Sequence, residues 1–162
     1  MKLFSFVQLF KLLNFSFDGQ NFQSKKSSKY DHNRTTGLAI YKNQALTVGC
    51  DESWTSDIYC GAKTELFNFE TQEWSDGEQY LLAKTYYYST SHTSDAAYII
   101  GGRTYYHPDP NLNIVAEYKE NEWRRLPDLK NPRYEHRSIA IGAKTMVVGG
   151  TCTKREGSNC GE

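Results

Sequence analysis

Ala96-Ala97-Tyr98-Ile99-Ile100-Gly101-Gly102, followed by Val115-Ala116-Glu117-Tyr118 and then by Glu122-Trp123-Arg124-Arg125-Leu126-Pro127, is the stretch that decides the fold. An apolar run of strand length closes on a Gly pair, an alternating segment ends in an aromatic, and a Trp-bearing segment leaves through Leu-Pro. The same order recurs upstream. Val48-Gly49-Cys50 precedes Leu66-Phe67-Asn68-Phe69 and Glu73-Trp74, so Trp74 and Trp123 stand 49 residues apart (123 − 74), each five residues after an aromatic, Phe69 and Tyr118. Downstream, Arg133-Tyr134-Glu135-His136-Arg137-Ser138 opens a unit that reaches Val147-Val148-Gly149-Gly150, 48 residues (149 − 101) after the preceding Gly pair. At the front, residues 15–22 align with residues 67–74, Phe22 taking the Trp position. A period of this length marks an array of supersecondary units.

Each unit reads as four short strands. Residues 37–40 and 45–48 flank a polar turn, and 96–100 and 144–148 are apolar or β-rich runs that predict strands buried on both faces. The third strand alternates, as in Ile114-x-Ala116-x-Tyr118, and the fourth carries the Trp. Four strands of about five residues with ordinary loops fill the period. The boundaries that follow are an N-terminal segment 1–12, a half unit 13–34, full units 35–84 and 85–132, and a truncated unit 133–162.

In this arrangement the chain resembles kelch repeats, through Gly49, Phe69 and Trp74 in the first full unit, Gly101, Gly102, Tyr118 and Trp123 in the second, and Gly149 and Gly150 in the third. The first full unit departs from the pattern, with Gly49-Cys50 for Gly-Gly and no Leu-Pro after Trp74. The resemblance implies an all-β fold of four-stranded antiparallel propeller blades. With about three blade-equivalents, the propeller is incomplete, since closure takes ~4–8 blades. The glycines allow tight turns and close approach of neighbouring blades, and the aromatics supply the area that seals one blade on the next.

Composition narrows the function. Nineteen basic residues balance nineteen acidic ones, and no basic run exceeds Lys25-Lys26, which argues against a nucleic-acid partner. Met1–Phe10 begins like a signal peptide, but Gln8 and Lys11 interrupt it, and it reads more readily as the remains of an earlier blade. No stretch is long and apolar enough for a membrane span.

The cysteines fall in pairs, Cys50 with Cys60 and Cys152 with Cys160, each between a unit's second and third strands. Of the three possible connectivities, the local one suits the converging ends of a hairpin. Such disulfides imply an oxidising compartment, and the sequons at Asn14 and Asn33 agree with it. The spacings do not fit a metal site.

The expectation is a non-enzymatic protein-binding or scaffolding module, secreted or extracellular, with no cofactor, a protein ligand and self-association through open blade edges. The loops after the second strands offer Trp54 and Tyr59, and Arg103, Tyr105, Tyr106 and His107, as contacts. Two other readings come with the resemblance. One is a cytoplasmic kelch adaptor for a ubiquitin ligase, which needs an upstream helical region. The other is a fragment of a copper-radical oxidase, which needs Tyr and His ligands converging on the axis. His92 and His136 read as corresponding first-strand residues, hence structural, and no residue is assigned a catalytic role.

Overall fold

The computed structural model describes residues 27–30, 32, 37–49, 62–82, 85–104, 111–142 and 144–152, and residues 14–17 and 22–25 through their backbone. Every regular element among them is a β-strand. The strands are β1 (Asn14–Phe17), β2 (Phe22–Lys25), β3 (Ala39–Tyr41), β4 (Gln44–Val48), β5 (Thr64–Asn68), β6 (Trp74–Asp76), β7 (Thr85–Tyr86) and β8 (Ser89–His92). They continue with β9 (Ala97–Ile100), β10 (Arg103–Thr104), β11 (Val115–Lys119), β12 (Glu122–Leu126), β13 (Arg133–Tyr134), β14 (Arg137–Ile141), β15 (Lys144–Val148) and β16 (Thr151–Cys152).

Two four-stranded antiparallel sheets, ordered β3-β4-β5-β6 and β12-β11-β9-β8, are the two full units. β1–β2 is a hairpin at the place of strands three and four, and β14–β15 a hairpin at the place of strands one and two. Short ladders β7–β10 and β13–β16 continue the inner hairpins past the Gly pairs, which the four-strand reading did not include. They are split off because the backbone turns left-handed on both sides: at Gly101 (φ 57°) and Gly102 (φ 106°) opposite Tyr87 (φ 55°), and at Gly149 and Gly150 opposite Glu135 (φ 57°).

Cross-strand register revises the aromatic of the first full unit. Tyr118 lies opposite Trp123 and Phe17 opposite Phe22, both at a spacing of five, whereas the residue opposite Trp74 is Phe67. Phe69, which the spacing placed there, sits in a turn two residues longer than its counterpart, with its ring edge-on to Phe67 at 5.8 Å. Asn68 accounts for the extra length: its side-chain carbonyl accepts from the amides of Glu70 and Thr71 at 2.8 and 3.1 Å, an Asx turn that constant spacing does not anticipate.

The core is the seam between the two full sheets. Ala39, Tyr41, Leu46, Val48 and Leu66 of the first sheet pack against Tyr88, Ala97, Ile99, Tyr118 and Trp123 of the second, with Tyr80 from the link between them. Tyr41 meets Tyr118 edge-on at 4.9 Å, and Tyr80 meets Trp123 edge-on at 4.8 Å. Polar tips are satisfied across the seam. The Trp123 indole donates to Thr64 Oγ1 (2.9 Å), Thr90 Oγ1 donates to the Leu38 carbonyl (2.7 Å), and the Tyr88 hydroxyl donates to the Val48 carbonyl (2.9 Å). Burial pushes the Tyr88 phenol up to about 12, so it remains a neutral donor.

Two expectations about burial divide between the units. β9 is buried on nearly all positions, as its continuous apolar run predicts, and β4 is buried likewise. β15 is not: Met146 and Val148 are 49% and 55% exposed, together with Ile139 (56%) and Ile141 (59%) on β14. A strand buried on both faces needs a neighbouring sheet on each, and among the described residues β14–β15 has one on its β8 side only.

Candidate functional site

The inner hairpins end where β10 and β13 emerge, and there the second and third units meet. The Gly102 amide donates to the Arg133 carbonyl (2.8 Å), and the Glu135 amide donates to the Tyr87 carbonyl (3.0 Å). These bonds place Arg103 beside Tyr134. The Arg103 guanidinium carbon lies 5.3 Å from the Tyr134 ring centre, and the Tyr87 ring is 6.1 Å from the same ring. Arg133 is held alongside by donating to the Gly149 carbonyl (3.1 Å). Arg103, Tyr87, Tyr134 and Arg133 are all half-buried, so each offers an edge to solvent near the end of β10.

Arg103 was expected in a contact surface with Tyr105, Tyr106 and His107; the latter three lie outside the described residues, as do Trp54, Tyr59, Cys50, Cys60, Cys160 and Asn33. Asn14 is placed at the head of β1, paired with Lys25. Cys152 ends β16 and is disulfide-bonded, its partner lying beyond the described residues. The sequence reading takes the Tyr86-Tyr87-Tyr88 cluster as blade-packing aromatics and does not place Tyr87 or Tyr134 in a contact surface. The available signal was that Tyr86 and Tyr134 are 48 residues apart (134 − 86), the same step as the Gly pairs, so the two units present related side chains on one face.

His136 lies beneath this face, 1% exposed. The structure changes its correspondence. It precedes β14 as Tyr88 precedes β8 and sits 48 residues (136 − 88) beyond it, whereas His92 is an exposed residue at the end of β8 paired with Ala97. Tyr88 reaches the carbonyl of Val48, which closes β4, and His136 lies against the backbone of Ile100, which closes β9. Burial, with the Arg133 cation close by, pushes the His136 imidazole down to about 4. The unfolded imidazole titrates at about 6.5, so the folded state binds fewer protons between those values and stability rises with pH there. The contribution, on the order of 3 kcal/mol, is complete above about pH 6.5 and lost as pH falls toward 4. Urea titrations from pH 4 to 7.5 are expected to show that slope in the wild-type chain and a flatter one in His136→Tyr; equal slopes would show that His136 does not carry it.

Among the described residues no helix is long and apolar enough to cross a membrane. No protein-family model matches the chain, and no curated protein matches it. Its backbone does superpose on a solved structure, that of YjhT, with a TM-score of 0.68 at 11% identity, over 85% of this chain and 45% of YjhT. YjhT is a β-propeller protein. The chain has the fold of a partial β-propeller. It spans less than half of the length of YjhT, and at this identity the likeness concerns the fold alone.

Proposed function

We propose that the chain is kelch-type in its repeats and serves as a non-catalytic protein-binding module, with the face around Arg103, Tyr134 and Tyr87 as its contact surface and with an oxidising, extracellular setting. The observation that carries the reading is the Arg103–Tyr134–Tyr87 stack. Arg and Tyr are the side chains that concentrate binding energy at interfaces, and a guanidinium already laid on a ring loses little freedom when a partner covers it. Tyr87 adds stiffness, because its backbone is held left-handed (φ 55°) and its carbonyl is engaged by Glu135. The Cys152 disulfide favours the oxidising compartment.

The test is a selection of peptide or small-domain binders against the wild-type chain, each then measured on the Arg103→Ala/Tyr134→Ala double variant. Binders that weaken by more than about 30-fold on the variant are the expected result, since two anchor truncations of about 1–2 kcal/mol each are involved. Binders that cluster on the opposite face and ignore the double substitution would remove the assignment.

A further inference from the structure

The face around Arg103 carries positive charge that no carboxylate answers among the described residues. The whole chain balances nineteen basic residues with nineteen acidic ones, but residues 129–152 hold Lys130, Arg133, Arg137 and Lys144 against the single carboxylate of Glu135. Elsewhere cations are met: Arg124 by Glu120 at 3.1 Å, Arg125 by Asp128 at 2.7 Å and Lys119 by Asp95 at 2.7 Å. Arg103, Arg133 and Arg137 form no ion pair among the described residues, and Glu135, which is exposed, pairs with none of them. Arg133 and Arg137 reach main-chain oxygens instead, the carbonyls of Gly149 at 3.1 Å and His136 at 3.0 Å. The charge is felt underneath, where burial first and then Arg133 and Arg137 push the His136 imidazole toward its neutral form.

Arg103 is the least satisfied of the three. Its Nε is shielded from water and has no acceptor among the described residues, while the guanidinium lies over the Tyr134 ring at 5.3 Å. A full charge has lost part of its hydration there with no hydrogen bond in return. That loss falls on the free protein, so a carboxylate arriving at the remaining N–H groups meets a cation whose desolvation is partly complete. Tyr134 and Tyr87, with ring centres 6.1 Å apart, give the site apolar walls, and a charge-assisted bond gains strength where water is thinned.

We infer, building on the contact surface proposed above, that its partner presents Asp or Glu side chains whose carboxylates are received by the planar, two-pronged guanidiniums of Arg103 and Arg133. A protein segment suits the site better than a nucleic acid or a sulfated polysaccharide. Long polyanions are held by extended basic stretches, and no basic run here exceeds Lys25-Lys26.

The experiment starts from random peptides displayed on phage and selected on the full chain, keeping those that lose affinity on Arg103→Ala/Tyr134→Ala. These peptides are expected to be rich in Asp and Glu, and exchanging those residues for Asn and Gln is expected to weaken each peptide by about ten-fold or more. On Arg103→Gln/Arg133→Gln the same exchange is expected to change affinity by less than about two-fold, because the cations that read the charge are gone; the cycle cancels any general loss of affinity in the variant. Should that variant not fold, the unaltered chain still decides. Between about 50 and 500 mM salt the acidic peptides are expected to lose affinity and their amide forms to keep it. Peptides that hold to the face through aromatic or apolar side chains alone, indifferent to the amide exchange, would overturn the inference while leaving the contact surface in place. Finding no peptide sensitive to Arg103→Ala/Tyr134→Ala would remove the contact surface and the inference with it. Heparin or single-stranded DNA bound at the same arginines, with acidic peptides ignored, would put a polyanion in place of the protein segment.

Discussion

Gly102→Ala is expected to cost about 3–5 kcal/mol, a large part of a small domain's stability. Gly102 has φ +106°, a backbone conformation that disfavours any side chain, and a Cβ there would stand 2.7 Å from the Tyr86 carbonyl oxygen and 3.1 Å from Tyr88 Cβ. The oxygen belongs to the β7–β10 ladder and Tyr88 to the inter-sheet seam, so neither yields without breaking a contact that holds units together. Gly142→Ala is the matched control. Its φ is +59° and nothing lies within 4 Å of the added carbon, so only the left-handed penalty of about 1–2 kcal/mol remains. Urea midpoints of the two variants should therefore differ by about 1–4 kcal/mol once converted with a common slope, a margin that follows from the two estimates above. Equal midpoints would show that the close approach at Gly102 is relieved by small movements.

Glu65→Ala is expected to cost about 3 kcal/mol, although alanine is the residue found at the equivalent place in the second sheet, Ala116. Glu65 is 1% exposed on β5, on the side that faces the chain arriving from β2. One carboxylate oxygen accepts from the Lys29 amide (2.9 Å); the other accepts from the Tyr30 amide (3.3 Å) and lies 2.6 Å from His32 Nε2. Where Ala116 makes an apolar seam, Glu65 makes a polar clasp on the link between units. Removing it strands two amides and an imidazole away from water, and such a loss exceeds that of the contacts themselves. Denaturant midpoints give the total, and hydrogen exchange should locate it, with faster exchange at Lys29 and Tyr30. A variant within about 0.5 kcal/mol of wild type would mean that water replaces the carboxylate without loss. The nearby surface pair of Lys29 with Asp76 at 2.9 Å should matter far less, being exposed on both sides.

These two sites show why parts of the architecture were readable in one dimension and parts were not. The blade period, the strand endings at Gly101-Gly102 and Gly149-Gly150, and the Tyr118–Trp123 pairing are local: alternation, turn chemistry and spacing in a single unit imply them. Phe69 was misplaced because turn length varies between units, and Asn68 lengthens its turn by bonding backbone amides two and three residues on. His92 and His136 were matched by residue type, while the Gly spacing, applied to the inner strands, aligns His136 with Tyr88.

Contacts between units were beyond any such reading. Glu65 and His32 are 33 residues apart, Trp123 and Thr64 are 59, and Arg103 and Tyr134 belong to different units, so no periodicity couples them. The sequence by itself determined the all-β repeat, its 48–49-residue step and the apolar face that every unit carries, because strand periodicity and glycine backbone freedom act within a few residues. Which of those faces are covered, where a buried carboxylate replaces an alanine, and which cation rests on which ring were decided only in the tertiary structure. Those outcomes depend on how neighbouring sheets twist and pack, and packing depends on distances in space that sequence separation does not encode.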